Sequence, residues 1–484
     1  MSTAASKIRT VCGVASFVTF LQLGCGIDAR KTDLLLSNPD DAGAIGVVDT
    51  RPESQQLPDG GVADDEPADP DGIEVSIVAG GDGTFGRVIS DPAGIDCSEP
   101  PCRARFARGT SVELMAQTSL TGGSGFAGWS GPCNGLDDCR VLLDGSDVSL
   151  VASYAPANIA FVTSTSSSGY VGGLTAADGL CAARAASAGL AGTFRAYLST
   201  SSVNAIDRLG GARGWVRTDG RPLLDAREDV ASGRLFYTLR FDEGGRDAGE
   251  RVVWTGSGPD GKLAAAGAAC NDWGAIEGAS GNSGQLGNSD LGGTGLSRGA
   301  SGPCEYNAAM FCFQVNRTVR IRPAPSPGRR AFVSAARFPV AGGIAAADAL
   351  CRQDAASGNL SGSYRALLAT STASAVSRFD LSGPAWVRLD GIPIVANAAD
   401  LFFGRRWEAP INLTPTGVYF DIQGAFVGGT SLIEPGALGN TCSDWTSTTG
   451  SVFTGRAGFT GLDDAYYAFV SACTVQVSLT CLEE

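Results

Sequence analysis

The feature that most limits how this chain can fold is a cysteine pattern that occurs twice. Cys181, Cys270, Cys304 and Cys312 are spaced by 89, 34 and 8 residues, and Cys351, Cys442, Cys473 and Cys481 by 91, 31 and 8. The intervening sequence agrees as well. Ala160-Phe161-Val162 matches Ala331-Phe332-Val333, and Gly172-Gly173 matches Gly342-Gly343. Phe194-Arg195-Ala196 matches Tyr364-Arg365-Ala366, and Trp215-Val216-Arg217 matches Trp386-Val387-Arg388. Cys270-Asn271-Asp272-Trp273 matches Cys442-Ser443-Asp444-Trp445. This is a tandem duplication, with copies at residues 158–316 and 331–484, and any fold must serve both. The joining residues 317–330 contain Pro323, Pro325 and Pro327 and read as a semi-rigid polyproline-type connector.

A third group, Cys97, Cys102, Cys133 and Cys139, lies in residues 73–155. There Val112, Leu114 and Ala116 alternate, as do Val148, Leu150 and Ala152, which is the period of a half-buried strand. Setting aside Cys12 and Cys25, twelve cysteines remain, an even number that reads as a disulfide framework in an exported protein. Export is expected from the start of the chain. Lys7 and Arg9 precede an apolar run over residues 11–23, too short to span a bilayer and suited to a signal peptide over residues 1–24.

Leu21-Gln22-Leu23-Gly24-Cys25 resembles the bacterial lipobox, which implies lipidation at Cys25 and a chain held on the outer membrane or cell surface by its lipid alone. Residues 25–72 are rich in Asp and Pro and poor in apolar residues, so they read as a disordered stalk.

The whole chain excludes several functions. It contains no histidine, which removes Ser-His-Asp and Cys-His nucleophile systems and His-ligated metals. Its net charge of −14 argues against nucleic acid, whose phosphates need clustered basic charge. Gly295-Leu296-Ser297-Arg298-Gly299 fits a serine-hydrolase pattern, but no imidazole exists to activate Ser297. The two G-x-G-x-x-G stretches, from Gly81 and from Gly256, lack a following helix pattern and read as turns.

Phe126-Ala127-Gly128-Trp129-Ser130-Gly131 followed by Cys133 and Cys139 resembles the internalin-type B-repeat, a small β-grasp-like surface module. Phe161-Val162-Thr163-Ser164, Gly172-Gly173, Ala177-Asp178 with Cys181, Trp254-Thr255-Gly256 and Cys270-Asn271-Asp272-Trp273 resemble a bacterial domain of unknown function with a C-type-lectin-like, endostatin-related fold. In the second copy Phe426-Val427-Gly428-Gly429 stands in for Trp-Thr-Gly. These resemblances imply an α+β chain: tandem C-type-lectin-like domains preceded by a small all-β module and a disordered linker. The lectin-like family implies the pairs Cys181–Cys312, Cys270–Cys304, Cys351–Cys481 and Cys442–Cys473. The sequence alone allows three connectivities per group.

Local signals support the mixed fold. Thr175 and Asp178 read as a capping start, residues 180–188 as a helix, and Gly189 and Gly358 as its stops. In sugar-binding relatives of the fold, a long loop between the middle cysteines supplies oxygens to calcium. By analogy Asp272, Asn282, Asp290 and Asp444 are the candidate calcium or ligand residues, although the usual calcium signatures are absent. No cofactor is implied beyond calcium. Of the tryptophans, Trp215, Trp386, Trp273 and Trp445 recur and are expected in the core. Trp407 and the pair Tyr466-Tyr467 do not recur and are expected to be free for a ligand.

The expected function is non-catalytic binding of a glycan or a surface protein, with two like domains adding avidity. The rival expectation is a structural envelope or spacer protein, the discriminator being whether loops 278–303 and 446–472 share a pocket or diverge. An enzyme on the same fold, as in formylglycine-generating enzymes, would need a free reactive cysteine.

Overall fold

The computed structural model describes residues 72–274, 282–297, 299–420, 424–426, 428, 431–462 and 469–484. The expected signal peptide, Cys25 and the expected stalk lie outside these residues, as do Tyr466 and Tyr467. The described chain is β-rich with a few short helices, an α+β protein. No helix among the described residues is long and apolar enough to cross a membrane.

The first module is built from two four-stranded sheets. One has the order β4 (Cys102–Phe106), β1 (Ile73–Gly80), β8 (Val148–Pro156), β6 (Ser124–Ser130). The other runs β3 (Asp96–Cys97), β2 (Arg87–Asp91), β5 (Ser111–Gln117), β7 (Cys139–Leu142). Alternate residues of facing strands fill one core: Val75 and Ile77 from β1, Val112 and Leu114 from β5, Leu150 and Tyr154 from β8. Disulfides Cys97–Cys102 and Cys133–Cys139 staple its loops.

Each copy then winds one sheet in the same order. In the first copy the path is β12 (Pro222–Leu224), β11 (Trp215–Arg217), β9 (Asn158–Val162), β16 (Ala309–Gln314), β13 (Val252–Trp254), β14 (Ser283–Asn288), β15 (Ser301–Pro303), with β10 (Phe194–Ala196) also on β16. In the second it is β19 (Trp386–Arg388), β17 (Arg329–Val333), β23 (Ser478–Glu483), β20 (Gly424–Phe426), β21 (Ser451–Arg456), β22 (Phe469–Ala472), with β18 (Tyr364–Ala366) on β23. In both copies the first and last strands pair antiparallel at the centre, so the chain ends of each copy are locked together. Phe426 pairs with Thr454 and Leu479 as Trp254 pairs with Leu286 and Met310, so it is the stand-in the sequence suggested.

Both faces of each sheet are covered, which is why every residue of the central strand β16 is buried. One face carries helix α1 (Leu174–Ser187) or α2 (Gly343–Ser357), tied down by Cys181–Cys312 or Cys351–Cys481. The other face packs Trp215, Leu224, Phe311 and Phe313 in the first copy and Trp386, Ile394, Leu401 and Leu482 in the second. All four pairings implied for the copies are present, the remaining two being Cys270–Cys304 and Cys442–Cys473.

Helix capping departs from expectation. No side chain caps either long helix. Asp178 instead turns inward to accept from the Ala196 amide at 2.9 Å and from Arg208, and Asp348 does the same with Ala366 and Arg378. Gly189 does end the first helix at φ 72°, but in the second the left-handed residue is Asn359, at φ 54°, not Gly358.

The connector is also not a free polyproline spacer. Arg320 exchanges two backbone hydrogen bonds with Phe126 of β6, at 2.8 and 2.9 Å, and the Thr118 amide donates to the Arg322 carbonyl at 2.7 Å. Asp138 accepts from both Arg320 and Arg322 at 3.0 Å, while Val319 and Ile321 are buried against Val216. A short alternating run inside a Pro-rich stretch thus adds itself to a sheet edge, and the prolines begin only beyond it.

Candidate functional site

The repeated Cys-x-Asp-Trp segment is the most unusual local structure. Cys270, Asn271, Asp272 and Trp273 have φ of 47°, 55°, 54° and 64°, and Cys442, Ser443, Asp444 and Trp445 have 50°, 53°, 55° and 67°. Each is a full turn of left-handed helix made of L-residues, a conformation that costs about 1–2 kcal/mol per residue. Three anchors hold it. The disulfide fixes the first residue. The buried indole of the last donates inward, Trp273 to the Ser199 carbonyl at 2.7 Å and Trp445 to the Ala369 carbonyl at 2.9 Å. The third residue closes the turn sideways: Asp272 accepts from the Ser201 amide and hydroxyl at 2.7 and 2.5 Å, and Asp444 from those of Ser371 at 2.6 Å each.

In the first copy the Trp273 carbonyl accepts the amides of Gly172 and Gly173 at 2.9 and 2.7 Å, just ahead of α1. Cys270 and Trp273 are buried while Asn271 and Asp272 are exposed, so the turn presents an amide and a carboxylate on a rigid base. They border a cleft of about 430 Å³ that Ser201, Leu263, Ala266, Gly267 and Ala269 complete.

The four candidate calcium residues do not come together. Asp272 and Asp444 sit at corresponding places in different copies, each engaged by its serine. Asn282 contributes its carbonyl to the Cys304 amide at 3.1 Å. Asp290 is fully buried and belongs to the seam between copies, where it accepts from the Gly461 amide at 2.9 Å, the Thr460 hydroxyl and Arg406. Among the described residues no group of three or more Cys, Asp or Glu is placed to hold a metal ion.

The long loops do not diverge: their described residues pair with each other. Leu291 and Phe459 form an antiparallel bridge, and the Gly292 amide donates to the Gly458 carbonyl at 2.8 Å. Around them Arg240 donates to the Trp407 carbonyl at 2.8 Å, and Arg388 to the Leu235 carbonyl at 3.1 Å. Trp407, expected to be free, is 3% exposed and donates its indole N–H to the Leu401 carbonyl at 3.1 Å. Its carbonyl accepts from Arg240 of the first copy, so Trp407 belongs to the seam and not to a free ligand surface. Trp215, Trp386, Trp273 and Trp445 are all fully buried, as expected. Ser297 is fully buried as well, with Tyr197 as its hydrogen-bond partner.

A second concavity escaped the sequence because four chain segments build it. Leu120 and Thr121 of the first module, Arg221 and Tyr237 of the first copy, the connector's Ser326 and Pro327, and Val387, Val395 and Glu408 of the second copy line about 310 Å³. Arg221 and Glu408 form an ion pair across it. The only forewarning was Trp-Val-Arg-x-Asp-Gly, whose arginines Arg217 and Arg388 are buried and paired with Asp219 and Asp390 beside this cleft.

No protein-family model matches the sequence, and no curated protein matches it either.

Proposed function

We propose that this chain is an exported, lipid-anchored binding protein of the cell envelope that carries out no chemistry, with lectin-like copies on a solvated stalk. Its ligand is a glycan, held at the left-handed turn of the first copy. The observation that carries this reading is the cleft beside Asn271 and Asp272. Sugar hydroxyls are matched by planar amide and carboxylate groups in fixed positions, and a turn anchored at three points supplies them without an ordering cost at binding. The six disulfides suit an oxidising compartment. The absence of histidine and the burial of Ser297 support a non-catalytic role.

The second copy has Ser443 where the first has Asn271, so the two copies are unequal in this reading and avidity is not its source of strength. Calcium is not needed by it: Asp272, Asn271 and Ser201 fall well short of the 6–8 oxygens the ion takes. A glycan-array screen of the mature chain, run in calcium and in EDTA, tests the proposal. Binding in both arms that Asn271→Ala weakens about fivefold or more is the expected result. Binding lost in EDTA would replace this site with a calcium site. Silence in both arms favours the spacer reading, which the mutual pairing of the long loops supports.

A further inference from the structure

We propose that the cleft between the first module, the connector and the two copies is a second, small-molecule site that takes an aliphatic zwitterion of amino-acid size. This site is independent of the glycan reading. Its polar end is the Arg221–Glu408 ion pair, whose side chains are 28% and 26% exposed and are both reached from the cleft. Its floor includes Tyr237, which is 1% exposed, lines the cavity and has the Arg221 guanidinium 5.3 Å from its ring centroid. Burial pushes its hydroxyl up to about 12, and it is a neutral donor at physiological pH.

Three features choose the ligand class. The volume of about 310 Å³ sits at the small end of ligand cavities and suits a handful of heavy atoms. The walls are mostly apolar, with Val387, Val395, Pro327 and Pro393 fitting an aliphatic body and Thr121 and Ser326 adding only two hydroxyls. The charges are paired. A ligand with one net charge would leave either Arg221 or Glu408 facing a like charge in a half-dry site, a costly arrangement. A zwitterion satisfies both, its carboxylate towards Arg221 and its ammonium towards Glu408, with the Tyr237 hydroxyl as a further donor to the carboxylate.

The test is calorimetric titration of the mature chain with L-valine, isobutylamine and 3-methylbutanoate, the last two being valine without its carboxylate and without its ammonium. Valine is expected to bind with a Kd near or below about 1 mM, and each analogue about tenfold more weakly. Tyr237→Phe is expected to weaken valine about fivefold. Ala396→Trp, at an exposed lining position that leaves the core untouched, is expected to abolish binding while the melting temperature stays put. No heat with valine, equal binding of all three probes, or valine binding that survives Ala396→Trp would each overturn the proposal.

Discussion

Leu291 and Phe459 occupy the same place in the two copies, three residues beyond β14 and β21, and lie opposite each other across the seam. The carbonyls of Leu235 and Trp407 also hold equivalent places, each six residues before the one (Phe241, Leu413) that accepts from the first strand's last amide, and each accepts from an arginine of the other copy. Like meets like, so the copies pack about an approximate two-fold axis, as subunits of a symmetric dimer do. Leu291 is counted within the core of the other copy, so the seam is an extension of that core.

Leu291→Ala is therefore expected to destabilise the chain by about 2–5 kcal/mol, a core-sized loss from a residue in a loop. Phe459→Ala should cost a similar amount, and the double variant less than the sum, since the two side chains share one contact. Chemical denaturation of the four proteins measures the cycle.

Ser443 and Asn271 sit at matching, exposed positions of the left-handed turns, at φ 53° and 55°. Glycine is free of the steric penalty there. Ser443→Gly is expected to stabilise by roughly 1 kcal/mol and to raise the melting temperature, whereas Asn271→Gly should gain less because Asn tolerates this region. Removing the third anchor with Asp444→Ala should do the reverse and lower it.

Disulfide contributions should follow loop length. Cys351–Cys481 closes 130 residues and Cys97–Cys102 only 5. In the chain-entropy picture the first is worth about 5 kcal/mol and the second about 2. Paired Cys→Ala variants, compared by melting temperature, would show the ordering. Mass spectrometry under denaturing, non-reducing conditions is expected to find no alkylatable thiol among the twelve.

Stability should be flat from about pH 5.5 to 7, because no histidine is present to titrate there. Acid should unfold the protein. Burial alone raises the Glu243 carboxyl, but the amide and hydroxyl of Ser164 together with Arg184 hold it net below its usual 4.5. Asp219 beside Arg217 and Asp444 beside Ser371 are likewise held below 3.8 against the pull of burial. Carboxyls depressed in the folded state contribute stability above their unfolded values and lose it as pH falls through the folded ones. The melting temperature is thus expected to drop once pH goes below about 4.

The duplicated residues were the readable part of this chain. Cysteine spacing located both copies, the pairing within them was what the lectin-like resemblance implied, and Trp215 and Trp386 were placed in the core because they recur. Asp272 and Asp444 recur too, and that repetition was a sign of a structural duty: each braces a strained turn that no propensity rule anticipates, since left-handed turns of ordinary residues are too costly to predict locally. The seam was illegible for the opposite reason. Asp290 and Trp407 are unduplicated residues in loops, and nothing in one dimension says that loops so far apart face each other. Glu243 and Asp354 show how a shared need can be hidden. They cap the equivalent amides of Ser164 and Ala335 from different elements, so aligning the copies residue by residue cannot find them.

A two-fold dimer of identical chains is obliged to change both sides of its seam whenever it changes one. Here Arg240 reaches into the second copy, while the residue at its own position there is Asn412, which instead accepts from Arg388 at 3.1 Å. Joining the halves through residues 317–330 lifts that obligation. One copy is free to specialise its loops for holding the pair together while the other keeps an open surface, and a single gene delivers them in fixed one-to-one proportion.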